Sequence, residues 1–335
     1  MSEYSQDYLN KNTLIGNVDL RGNAWHHMLG TDNHFSGPVP RERVEKLIGF
    51  ETIAVPLGGF IPATVETMTS LDDAGNPIRR VESPAVGIYH AETGACLGVN
   101  SESYAVHGFT DWLLDIDGPI GSAVLLKHGA VAYVQLDTGE TMQSGSGVEI
   151  LPFLAMATSL DGSMPTTAFT GNTRIVCDNT ARMALQGAVD KYTLKHTKHS
   201  VSKKLDYDLA REQMAAAGKL EIEWIDTRSK QIVTGKQFDA FLDLAVPLPD
   251  KEGRGQTMAQ NKRDILSDMY IKDDRVSPWK DTAFGVLQLM NTYAIHESTV
   301  RGDTPRLERN ALALLKGSQA AIDAEFDAML QSVLV

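Results

Sequence analysis

Two cysteines, Cys96 and Cys177, are all that 335 residues contain. A disulfide framework is thereby excluded, and two buried thiols in a reducing cytoplasm are the expectation. No apolar run approaches the roughly 20 residues that cross a bilayer. The opening "MSEYSQDYLNKNTLIGN" has no basic stretch leading into an apolar one, so it does not read as a secretory signal. Catalytic signatures are equally scarce. "SGSGV" at 144–148 sets a serine among glycines without forming G-x-S-x-G, and it sits in a polar turn rather than at a strand-to-helix elbow. "GACLGV" and "PLGGF" supply glycines without a phosphate-loop lysine or a dinucleotide pattern. Asp115 with Asp117, and Asp72 with Asp73, read as solvated turn carboxylates. His196 and His199 form H-x-x-H, but neither has a companion cysteine, H-E-x-x-H is missing, and zinc needs three or four ligands. No catalytic residue, cofactor or metal is assigned.

What is present is a soluble globular composition, 42% hydrophobic and 22% charged, with a net charge of -12. Residues 1–38 are polar and read as an N-terminal arm pinned by Trp25. A core spans 39–201. It opens with a helix over "VPRERVEKLIG", in which Val44, Leu47 and Ile48 recur at helical spacing and Gly49 is the stop. Short β runs follow, with "DDAGNP" as a turn, and "GFTDWLLDI" reads as a short helix. From 120 to 177 period-2 apolar runs separated by glycine turns predict antiparallel strands, with Asp161-Gly162 a hairpin turn. "DNTARMALQGAV" sets Ala181, Ala184, Leu185 and Ala188 on one helical face behind an Asp178 or Asn179 cap, so a helix is expected there, and then a strand over "YTLKHT". A helical region spans 202–335. Its first helix carries apolar residues at 205, 209, 214, 220 and 224, "KEGRGQTMAQN" reads as a loop, and residues 309–334 read as one helix. The fold class is α+β: a central antiparallel sheet with packed helices, then a mainly helical C-terminal third.

One segment breaks the acidic balance. "KYTLKHTKHSVSKK" (191–204) carries +5 and leaves -17 on the rest of the chain. A solvated basic face that offsets neighbouring acids is one reading. The other is a phosphate-contacting patch in which Lys191, Lys195, Lys198, Lys203 and Lys204 supply point charges and Tyr192 offers a ring for a base. Arg174, on "NTRIV", and His196 join it as further phosphate contacts.

The stretches "AWHHMLG", "LGVNSESYAVH", "ATSLDGSMPTTAFTGNTRIVCDNT", "LKHTKH" and "FGVLQLMNTYAIHE", in this order along most of the chain, resemble the phage/plasmid-like proteins of the domain-of-unknown-function family 932. The resemblance brings no activity. It implies a mobile-element setting, and with it DNA maintenance, recombination or conflict with host defence. The strands and helix expected over 120–188 look similar to the core of single-strand annealing recombinases, an analogy of fold alone. Two functions therefore stand side by side. One is a single-stranded nucleic-acid-binding protein acting as a homo-oligomer. The other is an oligomeric structural or anti-defence protein that binds a host protein.

Overall fold

The computed structural model describes residue 8 and residues 10–21, 32–113, 118–174, 179–183, 192–197, 207–299, 306–316 and 318–334. The core of the molecule is an antiparallel sheet. β6 (Ile120–Leu126), β7 (Val131–Asp137), β9 (Glu149–Ser159) and β10 (Thr166–Arg174) form a meander. β1 (Thr13–Ile15) adds to the β6 edge, so the expected arm contributes a strand. The two-residue β8 (Met142–Gln143) pairs with β9. At the far edge β10 is covered by two strands end to end: β12 (Tyr192–Leu194) at its start and β11 (Asn179–Met183) at its finish.

Burial explains why these strands read as almost unbroken apolar runs. Every residue of β7, and all but the first of β9, is buried, because both faces of the sheet are covered. On one face Ala132, Val134, Leu154 and Met156 meet α2 (Arg41–Ile48), α3 (Phe109–Leu113) and α4 (Tyr207–Lys230). On the other, Val131, Tyr133, Phe153 and Phe169 meet Leu312 and Leu315 of α8 (Arg306–Lys316). A two-sided sheet has no solvent face to fill with polar residues. α1 is the four-residue turn Val18–Arg21.

A second sheet stands apart as a ribbon. β4 (Pro77–His90) pairs with β2 (Thr52–Pro62) along one edge, and with β3 (Ser70–Leu71) and β5 (Cys96–Ser101) along the other. The "DDAGNP" turn forms as expected: Asp72 Oδ1 accepts from the Ala74 and Asn76 amides, and Gly75 takes φ +80°. Cys96, expected to be buried, is exposed on β5. Cys177 lies outside the described residues.

The C-terminal helices α5 (Gly235–Ala245), α6 (Arg254–Lys272), α7 (Ala283–Thr292) and α9 (Ser318–Leu334) enclose their own core of Phe241, Leu266, Val286, Leu289 and Leu330. α5 starts at a capping box between Thr234 and Gln237, which satisfies two end amides reciprocally. α7 ends in a π turn, Tyr293–Glu297, whose freed carbonyls at Ala294 and Ile295 accept from Arg309 and Asn310 of α8. Val148, Ile150, Ile225, Trp279 and Phe284 join this helical core to the sheet.

Four local expectations are corrected. Asn179–Met183 is a strand, not the start of a helix: its alanine spacing suits a helix, but the open edge of β10 supplies backbone partners, with Arg174 opposite Asn179. Residues 184–190 lie outside the described residues. Residues 254–261 are the first turns of α6 rather than a loop. The single helix expected over 309–334 is two, α8 and α9. The buried face of α4 is Ala210, Met214, Ala217, Glu221 and Ile225, whereas Leu209 and Leu220 face solvent. Small residues win because the helix lies close on the sheet. A Cβ at Gly218 would press on Met142 Sδ and Pro152 Cγ at 2.6 and 2.9 Å, so the glycine that weakens the isolated helix is what lets it seat.

Candidate nucleic-acid interface

The basic segment begins on the sheet edge. β12 runs antiparallel to β10, with Tyr192 opposite Ala168, Thr193 opposite Thr167 and Leu194 opposite Thr166. The strand period persists beyond the ladder: Tyr192, Leu194 and His196 turn inward, while Thr193, Lys195 and Thr197 are exposed. Lys195 is thus presented to solvent by the alternation that anchors its neighbours. Tyr192 packs against the main core rather than standing free as a stacking platform. Lys191, Lys198, Lys203, Lys204 and His199 lie outside the described residues, as do Trp25, His26 and Gly30 of the N-terminal motif.

Arg174 sits at the other end of the same edge. Its backbone pairs with Ile150 and Asn179, eight residues along β10 from Thr166, which pairs Leu194. At ~3.3 Å per residue that is roughly 26 Å. The fold therefore does not bring Arg174 beside Lys195; it places them at opposite ends of one strand.

His196 departs furthest from expectation. Only 9% exposed, it stacks on His107 with ring centroids 4.2 Å apart and an interplanar angle of 23°, and on Tyr104 at 4.7 Å and 25°. Its carbonyl accepts from the Ala105 amide. Its Nε2 lies 3.3 Å from Thr158 Oγ1 and 3.2 Å from Thr166 Oγ1. Thr166 Oγ1 is the hub, 2.7 Å from Thr158 Oγ1 and 2.7 Å from His107 Nδ1. His196 Nδ1 has no hydrogen-bond partner among the described residues. The proton is therefore assigned to Nε2, where the N–H donates to the threonine oxygens. On Nδ1 it would be a buried, unsatisfied donor, at a cost of about 1–3 kcal/mol.

The ring is also neutral at ordinary pH. Burial first, and then the neighbouring His107, push His196 down to about 4. Burial also lowers His107. Tyr104 is pushed up to about 12, chiefly by burial, and its hydroxyl donates to the Ser159 carbonyl at 2.7 Å. Asp161 closes the cluster on the solvent side. Burial raises its carboxyl, but hydrogen bonds from Ser163 and Lys127 outweigh that and hold it below its usual range. Lys127 Nζ is 2.9 Å away. The result is a polar anchor beneath the basic segment: it fixes the backbone at 196 and keeps its rings neutral at ordinary pH.

Sequence reasoning missed His107, Thr158 and Thr166. The available signal was the hydroxyl-rich "ATSLDGSMPTT" between two apolar strands, where buried polar groups demand partners. In the helical core, Asn291 Nδ2 donates to both carboxylate oxygens of Asp323.

No curated protein and no solved structure matches this chain. The family model described as "Domain of unknown function (DUF932)" matches residues 96–314, which takes in β5, the whole meander, the histidine cluster and the helices through most of α8. With about two thirds of its length so matched, the chain belongs to that family.

Proposed function

We propose that this protein binds single-stranded nucleic acid along the basic segment 191–204 and works as an oligomer, as a phage- or plasmid-encoded annealing or recombination protein in the bacterial cytoplasm would. The supporting observation is the placement of Lys195. It is exposed at a sheet edge, inside a carboxylate-free run of +5 on a chain of net charge -12. A local positive strip on an acidic body confines a polyanion to that strip and repels it elsewhere. Lys191, Lys195, Lys198, Lys203 and Lys204 are the proposed contacts, and Arg174 serves only a strand long enough to run the length of β10. Retention of a labelled single-stranded oligonucleotide, reduced by Lys195→Ala with Lys198→Ala, supports the reading. Equal retention of both proteins refutes it.

A second reading, an oligomeric structural or anti-defence protein that binds a host protein, draws on a different feature. The β2–β4 ribbon carries exposed apolar side chains at Ile53, Val55, Phe60 and Leu71, a surface suited to protein contact. No retention on single-stranded DNA at low salt favours it.

A further inference from the structure

Arg306 and Arg309 are half-buried, and among the described residues neither meets a carboxylate. Arg43, Arg228, Arg263 and Arg275 are half-buried too, and each of them has an aspartate within 3.0 Å. In a chain with 43 carboxylates against 31 lysines and arginines, two partly desolvated guanidiniums without one call for a cause. Both open α8 and converge on one residue. Arg306 Nη2 donates to the Ser298 carbonyl at 2.9 Å. Arg309 Nη2 donates to Ser298 Oγ at 3.1 Å, with longer bonds to the Ala294 carbonyl and Asn310 Oδ1. All these bonds leave from Nη2, so Nε and Nη1 of each arginine stay open among the described residues. Burial first, and then the Arg306 charge, lower Arg309, so the two cations lie close enough to repel. The positive end of the eleven-residue α8 adds to the same sign. A bridging oxyanion reverses that balance, because a guanidinium fork takes phosphate oxygens two at a time.

The fold ties this pair to the basic strip through a run of contacts. His196 stacks on Tyr104, whose hydroxyl donates to the Ser159 carbonyl, two residues before Asp161. Asp161 holds the Lys127 ammonium, and the Lys127 amide donates to Glu308 Oε1 at 2.8 Å. Thus α8 begins at the end of the sheet where β6 turns into β7 and where β12 delivers Lys195. Three strand spacings separate that turn from β12, roughly 14 Å. Both carboxylates on the route, Asp161 and Glu308, are already engaged by Lys127. Arg174 lies at the opposite end of the sheet. We propose that Arg306 and Arg309 form a phosphate-binding site that extends the strip across this end of the sheet, so that a single strand held at Lys195 continues to α8. The inference rests on the nucleic-acid reading for the source of its phosphate, and a free phosphate group shares the chemistry.

The test titrates a labelled oligothymidylate with the full chain over a range of salt. Arg306→Gln with Arg309→Gln keeps donors for Ser298 and Ala294 but removes both charges. Its plot of log K against log salt should be shallower than the wild type's by roughly 1.4, at about 0.7 per contact. Arg306→Lys with Arg309→Lys should restore the slope, which a merely structural role would not require. An unchanged slope in the glutamine variant overturns the site and leaves the lysine strip standing. Should that variant fail to fold, or the wild type retain no oligonucleotide, phenylglyoxal labelling of the unaltered chain decides. Oligothymidylate or inorganic phosphate should shield Arg306 and Arg309, read by peptide mass. Shielding by phosphate without retention of the oligonucleotide assigns the site to free phosphate and removes the strand reading. Shielding by neither overturns the proposal.

Discussion

His107 and His196 lie face to face, ring centroids 4.2 Å apart, and share the hydroxyl of Thr166. Two imidazoles this close tolerate one another only while neutral. The pair ties the segment after β12 to the loop before α3, so its protonation state bears directly on how firmly the basic strip is held.

The pH dependence follows from the sign of the shift. His196 titrates at about 4 in the folded chain and at about 6.5 when unfolded. Between those values the unfolded state binds the extra proton, so stability is full above about pH 6.5 and falls as pH drops towards 4. Part of the shift is screened by solvent at the cluster's rim, and the loss should be roughly 2 kcal/mol. Urea midpoints at pH 7.5 and pH 5 check this. The His196→Phe variant keeps a ring but loses the titration, and its midpoints should differ less than those of the wild type.

Tyr104→Phe isolates the neighbouring hydrogen bond. The ring still stacks on His196, but the Ser159 carbonyl loses its 2.7 Å donor. A cost of about 1 kcal/mol is expected, read as a lower denaturant midpoint at unchanged slope. A drop several times larger would mean that the stack itself depends on the hydroxyl.

Much of the architecture was legible because it rests on burial. "VAYVQLD" and "EILPFLAMATSL" announce a buried meander, and Asp161-Gly162 its turn, since Gly162 does adopt φ +68°. Where two signals competed, the tertiary partner decided. Ala181 sits at helical spacing with its neighbours, yet β10 had an edge to fill. Large apolar residues suggested one face of α4, and the sheet selected the small ones. The site was half legible. Composition marks a basic run, but only the register of β12 reveals that Lys195 faces out while Tyr192 and His196 face in. The partners of His196 come from 30 to 92 residues away, a distance across which no spacing rule operates.

The seam between sheet and helices offers a sharper stability test at Asp327. Its carboxylate accepts from Arg228 at 2.9 Å and from Trp224 Nε1 at 3.4 Å, and the Arg228 side chain is mostly buried. Asp327→Ala strands a guanidinium in the helical core, and about 3 kcal/mol should be lost. Asp327→Asn keeps an acceptor and should recover part of it. Thermal or urea unfolding of the two variants gives the comparison directly.

Gly285 marks the same seam from the other side. A Cβ there would collide with the Trp279 carbonyl, a backbone group that no rotamer change can move. Gly285→Ala should therefore cost roughly 2–3 kcal/mol, although alanine favours helices. An increase in stability, as intrinsic propensity alone would give, would show that the turn at Trp279 can shift.

The salt dependence of binding is the most direct measure of the basic strip. If four of its lysines each neutralise one phosphate on a single strand, log K falls against log salt with a slope of roughly -3, at about -0.7 per contact. Lys195→Ala with Lys198→Ala removes two contacts, so the slope should flatten by roughly 1.4 and all sequences should weaken alike, because phosphates carry no base identity. Protonation should add nothing through His196: the imidazole is buried, titrates at about 4 and has no surface on which to meet a phosphate. Affinity measured at pH 7.5 and pH 6 should therefore be the same, which separates a lysine strip from one completed by histidine. If the lysines merely balance neighbouring acids, the double variant binds as the wild type does and its stability moves by a fraction of a kcal/mol. Titration of labelled single-stranded DNA with both proteins, at two salt concentrations and two pH values, reads all of these at once, and identical slopes for the two proteins would remove the strip from the binding surface.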